Sequence, residues 1–216
     1  MSLPANRIRG IIFDLDGTLY SAPDYAAAIQ DAAAGYMAGL RGITPEQSGR
    51  LMATTRSLLT EETGGVPTLS AVCTRLGGNV RDLHTFFEGC LRPEAYLTRD
   101  ERVVALLERL ARRIPLYLFT NNNRVLTTRI IEYLGLNGLF RRIYTIDDAW
   151  KAKPDEEMLD RILAEAGLLP SQALFVGDRF DVDLRLPEQR GCPVYLSQSV
   201  EQLLRLEEIL GGADTP

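Results

Sequence analysis

A doubly wound parallel α/β sheet with an all-helical insertion after its first strand is the fold class the sequence predicts. Three observations predict it. Short apolar runs end in polar residues at Asp14, Thr120 and Asp178, helix and strand patterns alternate from about Thr98 onward, and no strand pattern occurs between Tyr25 and Arg92. In sheets of this kind ligands bind outside the carboxyl ends of the strands, which is where these polar residues fall. The expected division is a sheet domain of residues 1–20 and 96–216 and a helical cap domain of residues 21–95.

Ile8–Phe13 is an apolar, β-branched run, read as a strand buried on both faces. Tyr25–Leu40 spaces Ile29, Ala33, Tyr36, Met37 and Leu40 as a helix does. Thr44-Pro45-Glu46-Gln47 supplies an N-cap, a first-turn proline and a capping-box glutamine for a second helix reaching about Leu59. Glu61–Pro67 reads as a loop, Thr68–Leu76 and Asn79–Leu91 as two further helices closed before Pro93. Thr98–Glu101 is a capping box for a helix to about Arg113, and Pro115–Thr120 is a buried strand. Asn123 caps the helix Arg124–Leu134, which Gly135 stops, and Arg142–Ile146 is a shorter strand. Pro154 opens the helix Asp155–Ala166, Ala173–Val176 and Pro193–Leu196 are strands, and Val200–Ile209 is the last helix before a frayed tail at Gly211–Pro216.

The 216 residues are 45% hydrophobic and 25% charged with a net charge of −5, an ordinary soluble composition without a basic field for a nucleic-acid polymer. Cys73, Cys90 and Cys192 are odd in number and show no CxxC spacing, so neither a disulfide framework nor a zinc site is indicated. No apolar stretch approaches membrane-spanning length and Met1–Gly10 lacks the apolar core of a signal peptide, so a cytoplasmic protein without membrane partners is expected. Nothing in the sequence specifies an oligomeric state.

Asp14 and Asp16 lie two apart, hence on one face if extended geometry persists. Two such carboxylates repel unless a cation joins them. Magnesium asks for hard oxygen ligands, and Asp14, the backbone carbonyl of Asp16 and Asp178 can supply them, with Asp181 or Asp183 joining or orienting the set. An ionised Asp14 can then attack phosphorus while Asp16 moves protons. Thr120, Asn121 and Lys153 can hold the phosphoryl oxygens. Lys153 is preferred to Lys151, the only other lysine, because Pro154 restricts its backbone to an extended form.

Phe13-Asp14-Leu15-Asp16-Gly17-Thr18, Phe119-Thr120-Asn121, Lys153-Pro154-Asp155 and Val176-Gly177-Asp178 followed by Asp183 occur in that order. With them the chain resembles the haloacid dehalogenase-like superfamily of phosphohydrolases. The resemblance implies a Rossmann-like core and the superfamily's first cap type. It implies Asp14 as nucleophile, Asp16 as acid and base, Thr120 and Lys153 on the phosphate, and Mg2+ on Asp14, the Asp16 carbonyl and Asp178. The substrate implied is a small phosphorylated metabolite. Leu19-Tyr20, Phe119-Thr120-Asn121 and Tyr133–Leu136 are similar to the pyrimidine 5′-nucleotidase-like group, which implies a nucleoside 5′-monophosphate. A sugar-phosphate phosphatase or phosphomutase is the alternative, and a non-enzymatic phospho-accepting or binding domain the rival of another class. Asp16, placed to discharge an aspartyl-phosphate, weighs against that rival.

Overall fold

The computed structural model describes residues 7–211, so all of the expected frayed tail except Gly211 lies outside the described residues. Five parallel strands, β1 (Gly10–Phe13), β2 (Leu116–Phe119), β3 (Phe140–Tyr144), β4 (Ala173–Gly177) and β5 (Val194–Leu196), lie in the order β3-β2-β1-β4-β5. The register pairs Ile11 with both Leu116 and Leu174, so β1 is central. Side chains alternate across the sheet. Ile11, Phe13, Leu116, Leu118, Leu174 and Val176 pack on one face with α5 (Glu101–Ala111), α6 (Arg124–Leu134), α9 (Val200–Leu204) and α10 (Leu206–Ile209). Ile12, Tyr117, Ala173 and Phe175 pack on the other with α7 (Glu156–Ala166). Burying both faces explains why these strands are apolar throughout and carry polar residues only past their ends.

Between β1 and β2, after the strand end, come α1 (Pro23–Arg41), α2 (Pro45–Thr63), α3 (Leu69–Arg75) and α4 (Val80–Cys90), with no strand among the described residues there. The α2 capping box forms as the sequence specifies: the Gln47 N–H donates to Thr44 Oγ1 and the Thr44 N–H to Gln47 Oε1. Met37, Met52, Val72 and Leu83 of these helices join the same apolar cluster as Ile11 and Leu118. Full burial of each such side chain contributes about 1.5–3 kcal/mol.

Several element boundaries differ from the sequence reading. α2 continues through Thr63, since its polar last turn is capped by Gly64 in the left-handed conformation. The cap of α5 is Asp100, whose carboxylate accepts the Arg102 N–H at 2.9 Å, and not Thr98. β3 starts two residues early, at Phe140, on the sheet edge where Arg141 and Arg142 stay exposed. Asp155 is the N-cap of α7, which leaves Pro154 outside the helix. The segment Phe180–Leu184 forms a wide helical turn leading into α8 (Arg185–Gln189), which no periodicity announced. The last expected helix breaks at Arg205.

Candidate active site

Asp14, Thr120 and Asp178 follow β1, β2 and β4 and meet at one edge of the sheet. Ladder bonds carry the backbone past the strand ends: the Asp14 N–H donates to Val176 O at 2.8 Å and the Thr120 N–H to Tyr144 O at 3.0 Å. Asp14 is buried and bonded on both sides, accepting from Lys153 Nζ at 2.6 Å on Oδ1 and from Thr18 Oγ1 at 3.0 Å on Oδ2. Lys153 is buried too. Its ammonium also donates to Phe119 O at 2.9 Å and lies 2.6 Å from Asp183 Oδ1, though without hydrogen-bond alignment. Burial alone would pull the Lys153 ammonium down, but Asp14 and Asp183 hold it above the ordinary lysine range.

Asp16 has a different environment from Asp14. Its carboxylate accepts from the Tyr20 hydroxyl on Oδ1, from Thr120 Oγ1 at 3.3 Å on Oδ2, and more weakly from Asn122 Nδ2 at 3.4 and 3.5 Å. Burial raises its pKa, with the bonds from Tyr20 and Thr120 and the charge of Lys153 opposing. Asp14 is pushed up to about 7, first by burial and then by Asp183 and Asp16, against the pull of Lys153. Asp178 is pushed up to about 6 by burial and by Asp183. One buried ammonium serves more carboxylates than it can neutralise.

A divalent cation suits that deficit. One carboxylate oxygen from each of Asp14, Asp178 and Asp183 lies within 4.8 Å of the others, and Asp178 Oδ1 is buried without a hydrogen-bond partner. Three hard carboxylate oxygens this close together fit magnesium or a similar ion. Two glycines make the approach possible. Gly17 has φ +91° and a Cβ there would stand 2.5 Å from Asp178 Oδ2, while a Cβ on Gly177 would stand 2.5 Å from Asp183 Cβ.

The sequence-derived residues therefore gather, with two redistributions. Asn121, expected on the phosphate, lines the cavity at this edge, and its Oδ1 accepts the Lys153 N–H at 2.6 Å and so fixes the lysine loop. Asp181 turns away to an ion pair with Arg185, while Asp183 stays buried and accepts the Arg179 N–H at 3.1 Å. Lys151 is exposed and pairs with Glu157 at 2.7 Å. Sequence reasoning missed Tyr20 and Asn122 as partners of Asp16, and Arg179, whose guanidinium lies 3.8 Å from Asp178. Tyr20 reaches Asp16 because the chain turns back on itself between them, with the Gly17 N–H bonded to Tyr20 O at 3.1 Å; the Gly17-Thr18 turn was the readable signal.

Above this edge lies a cavity of about 350 Å³, walled on the sheet side by Asp14, Asp16, Thr120, Asn122, Asp178 and Arg179. On the helical side it is walled by Tyr25, Ile29, Ser70, His84, Phe87 and Leu91. No helix among the described residues is long and apolar enough to cross a membrane.

Comparison with known proteins agrees with this geometry. The family described as haloacid dehalogenase-like hydrolase matches residues 8–188. The phosphoglycolate phosphatase of Escherichia coli (strain K12) is 29% identical over 202 residues, covering 86% of this chain and 79% of that protein. Among solved structures, a HAD phosphatase from Thermococcus onnurineus has a TM-score of 0.62 at 18% identity, covering 95% of this chain and 99% of that one. A 2-haloacid dehalogenase from Pseudomonas syringae pv. Tomato DC3000 has a TM-score of 0.58 at 22% identity, covering 94% and 98%. At those identities the solved structures speak for the fold. With the family match spanning most of the sequence and the four motifs meeting at one sheet edge, the chain belongs to the haloacid dehalogenase-like hydrolases.

Proposed function

We propose that this chain is a magnesium-dependent phosphomonoester hydrolase that releases phosphate from a small phosphorylated metabolite through an aspartyl-phosphate on Asp14. The observation that carries the reading is the contrast between two neighbouring carboxylates. Asp14 is held by an ammonium and a hydroxyl, whereas Asp16 accepts only from neutral side-chain donors, the hydroxyls of Tyr20 and Thr120 and the amide of Asn122. In the first step an Asp14 oxygen bonds to phosphorus, the ester P–O bond breaks, and the leaving alcohol takes the proton of Asp16. In the second, Asp16 takes a proton from water, which attacks the aspartyl-phosphate and frees phosphate. Lys153 holds Asp14 in place for attack and offsets phosphoryl charge, and Thr120 and Asn121 support the phosphate end. Magnesium on Asp14, the Asp16 carbonyl and Asp178 would screen the repulsion between carboxylates and the phosphate dianion, with Asp183 orienting Lys153 and the Arg179 backbone. Residues 21–95 act as a cap over the cavity.

The phosphoglycolate phosphatases among the relatives favour a small organic phosphate, such as a sugar phosphate, over the nucleoside monophosphate that the motif likeness implied. Malachite-green detection of phosphate from a panel of phosphomonoesters, with MgCl2 or EDTA, tests the reading. Asp14→Asn should lose at least about a thousandfold in kcat, the order for loss of a nucleophile. Asp16→Asn should slow turnover at a phosphoenzyme stage seen by acid quench. Metal-independent release, or full activity in Asp14→Asn, would overturn it.

A further inference from the structure

Another cavity, of about 410 Å³, lies at the amino ends of β2 and β3, the edge of the sheet opposite Asp14, Thr120 and Asp178. The four residues of β2 separate it from Thr120 by about 13 Å, at about 3.3 Å per residue. Half-buried Ile114, Pro115 and Leu139 line it together with exposed Arg112, Arg113 and Arg141, and no acidic residue does. Nearby arginines in the sequence are paired, Arg109 with Glu207 at 2.9 Å and Arg142 with Glu165 at 3.0 Å. Arg112, Arg113 and Arg141 make no ion pair or side-chain hydrogen bond among the described residues, and Glu108, one helical turn before Arg112, stays exposed.

Two separate elements bring the three together. Arg112 and Arg113 leave the carboxyl end of α5, where a cation complements the helix dipole. That accounts for two of them and not for Arg141, which comes from β3. There the register shifts, Leu116 pairing with Phe140 and Tyr117 with Arg142, so Arg141 is an extra residue on the edge strand. Such a bulge takes a residue out of the ladder and re-aims it. Like charges gathered without partners repel, and in a chain of net charge −5 acids to pair them are not scarce.

Three cations around a concavity of small-ligand size call for a compact anion with at least three negative charges. Linked phosphates meet that demand. Each guanidinium fork matches two oxygens of a tetrahedral phosphate, a chain of them offers one group to each arginine, and exposed side chains of this length are free to converge on it. We infer that Arg112, Arg113 and Arg141 form a binding site for a polyphosphate, either the triphosphate of a nucleotide or an inorganic chain. The site lies outside the phosphatase reading and stands or falls without it.

Calorimetry with sodium tripolyphosphate, ATP and citrate, in metal-free buffer at about 0.15 M NaCl, tests the site, with thermal melts as a folding check. Wild type should bind tripolyphosphate with a Kd below about 0.1 mM and citrate at least about tenfold more weakly. Arg141→Ala should weaken tripolyphosphate about tenfold and the double variant Arg112→Ala, Arg113→Ala about a hundredfold, one charge-assisted contact being lost with each arginine. Arg141→Lys, which keeps the charge without the fork, should fall between wild type and Arg141→Ala. Arg50→Ala, at an exposed position on α2, should leave the affinity unchanged. Tighter binding of ATP than of tripolyphosphate assigns the site to nucleotides and the reverse to inorganic chains; both support it. No binding at about 1 mM, equal binding of citrate, unchanged affinity in the cavity variants, or an equal loss in Arg50→Ala overturns it.

Discussion

Asp178→Asn should make the metal-free protein more stable, although it removes one of the three carboxylates that could hold a cation. In the fold, burial and Asp183 push the Asp178 carboxyl from 3.8 up to about 6. A carboxyl raised in the folded state contributes stability that is present below about pH 4 and lost as pH rises through about 6. That interval corresponds to about 3 kcal/mol, reduced to about 1–2 kcal/mol by the solvent that reaches a side chain 23% exposed. Asparagine does not ionise. In urea unfolding with EDTA, Asp178→Asn should therefore exceed wild type by about 1–2 kcal/mol at pH 8, the gap closing toward pH 4. Adding MgCl2 at pH 8 should stabilise wild type and leave the variant nearly unmoved, because ligand binding stabilises only the chain that binds it. A variant less stable than wild type at pH 8 in EDTA, or equally responsive to MgCl2, would refute the reasoning.

Two further outcomes test the surroundings of the site. Gly17→Ala places a Cβ against Asp178 at a φ of +91°; we expect a loss of about 1–3 kcal/mol in urea unfolding and at least a tenfold weaker magnesium affinity by calorimetry. His84, pulled down to about 4 by burial, binds its proton more readily when unfolded, so wild type should lose stability as pH falls from about 6.5 toward 4. His84→Leu should flatten that slope by up to about 3 kcal/mol, read from urea midpoints between pH 4.5 and 7.5.

The sheet was legible because β1, β2 and β4 are buried on both faces, which forces apolar runs whose first polar residues mark the strand ends. The site inherited that legibility: Asp14, Thr120 and Asp178 are those first polar residues. What stayed hidden depends on which way a loop side chain turns. Asn121, Asn122 and Asn123 are chemically identical, yet one accepts from Lys153, one donates to Asp16 and one caps α6 while reaching His84. Asp181 and Asp183 likewise part company because the wide turn of Phe180–Leu184 sends one toward Arg185 and the other inward to Lys153. At Thr98–Glu101 two residues competent to cap, Thr98 and Asp100, lay within one turn, and the competition was settled by which side-chain oxygen reached a free N–H.

The asparagine run has a consequence for how this protein can change. Surface loops ordinarily accept insertions with little harm. Here Asn122 and Asn123 are consecutive, and their side chains engage opposite halves of the molecule, Asp16 on the sheet side and the carbonyl of His84 on α4. An added residue between them would shift one contact out of reach of the other. The segment is thus tied on both sides of that bond, and an insertion there gives up either the contact to Asp16 or the contact to the His84 carbonyl.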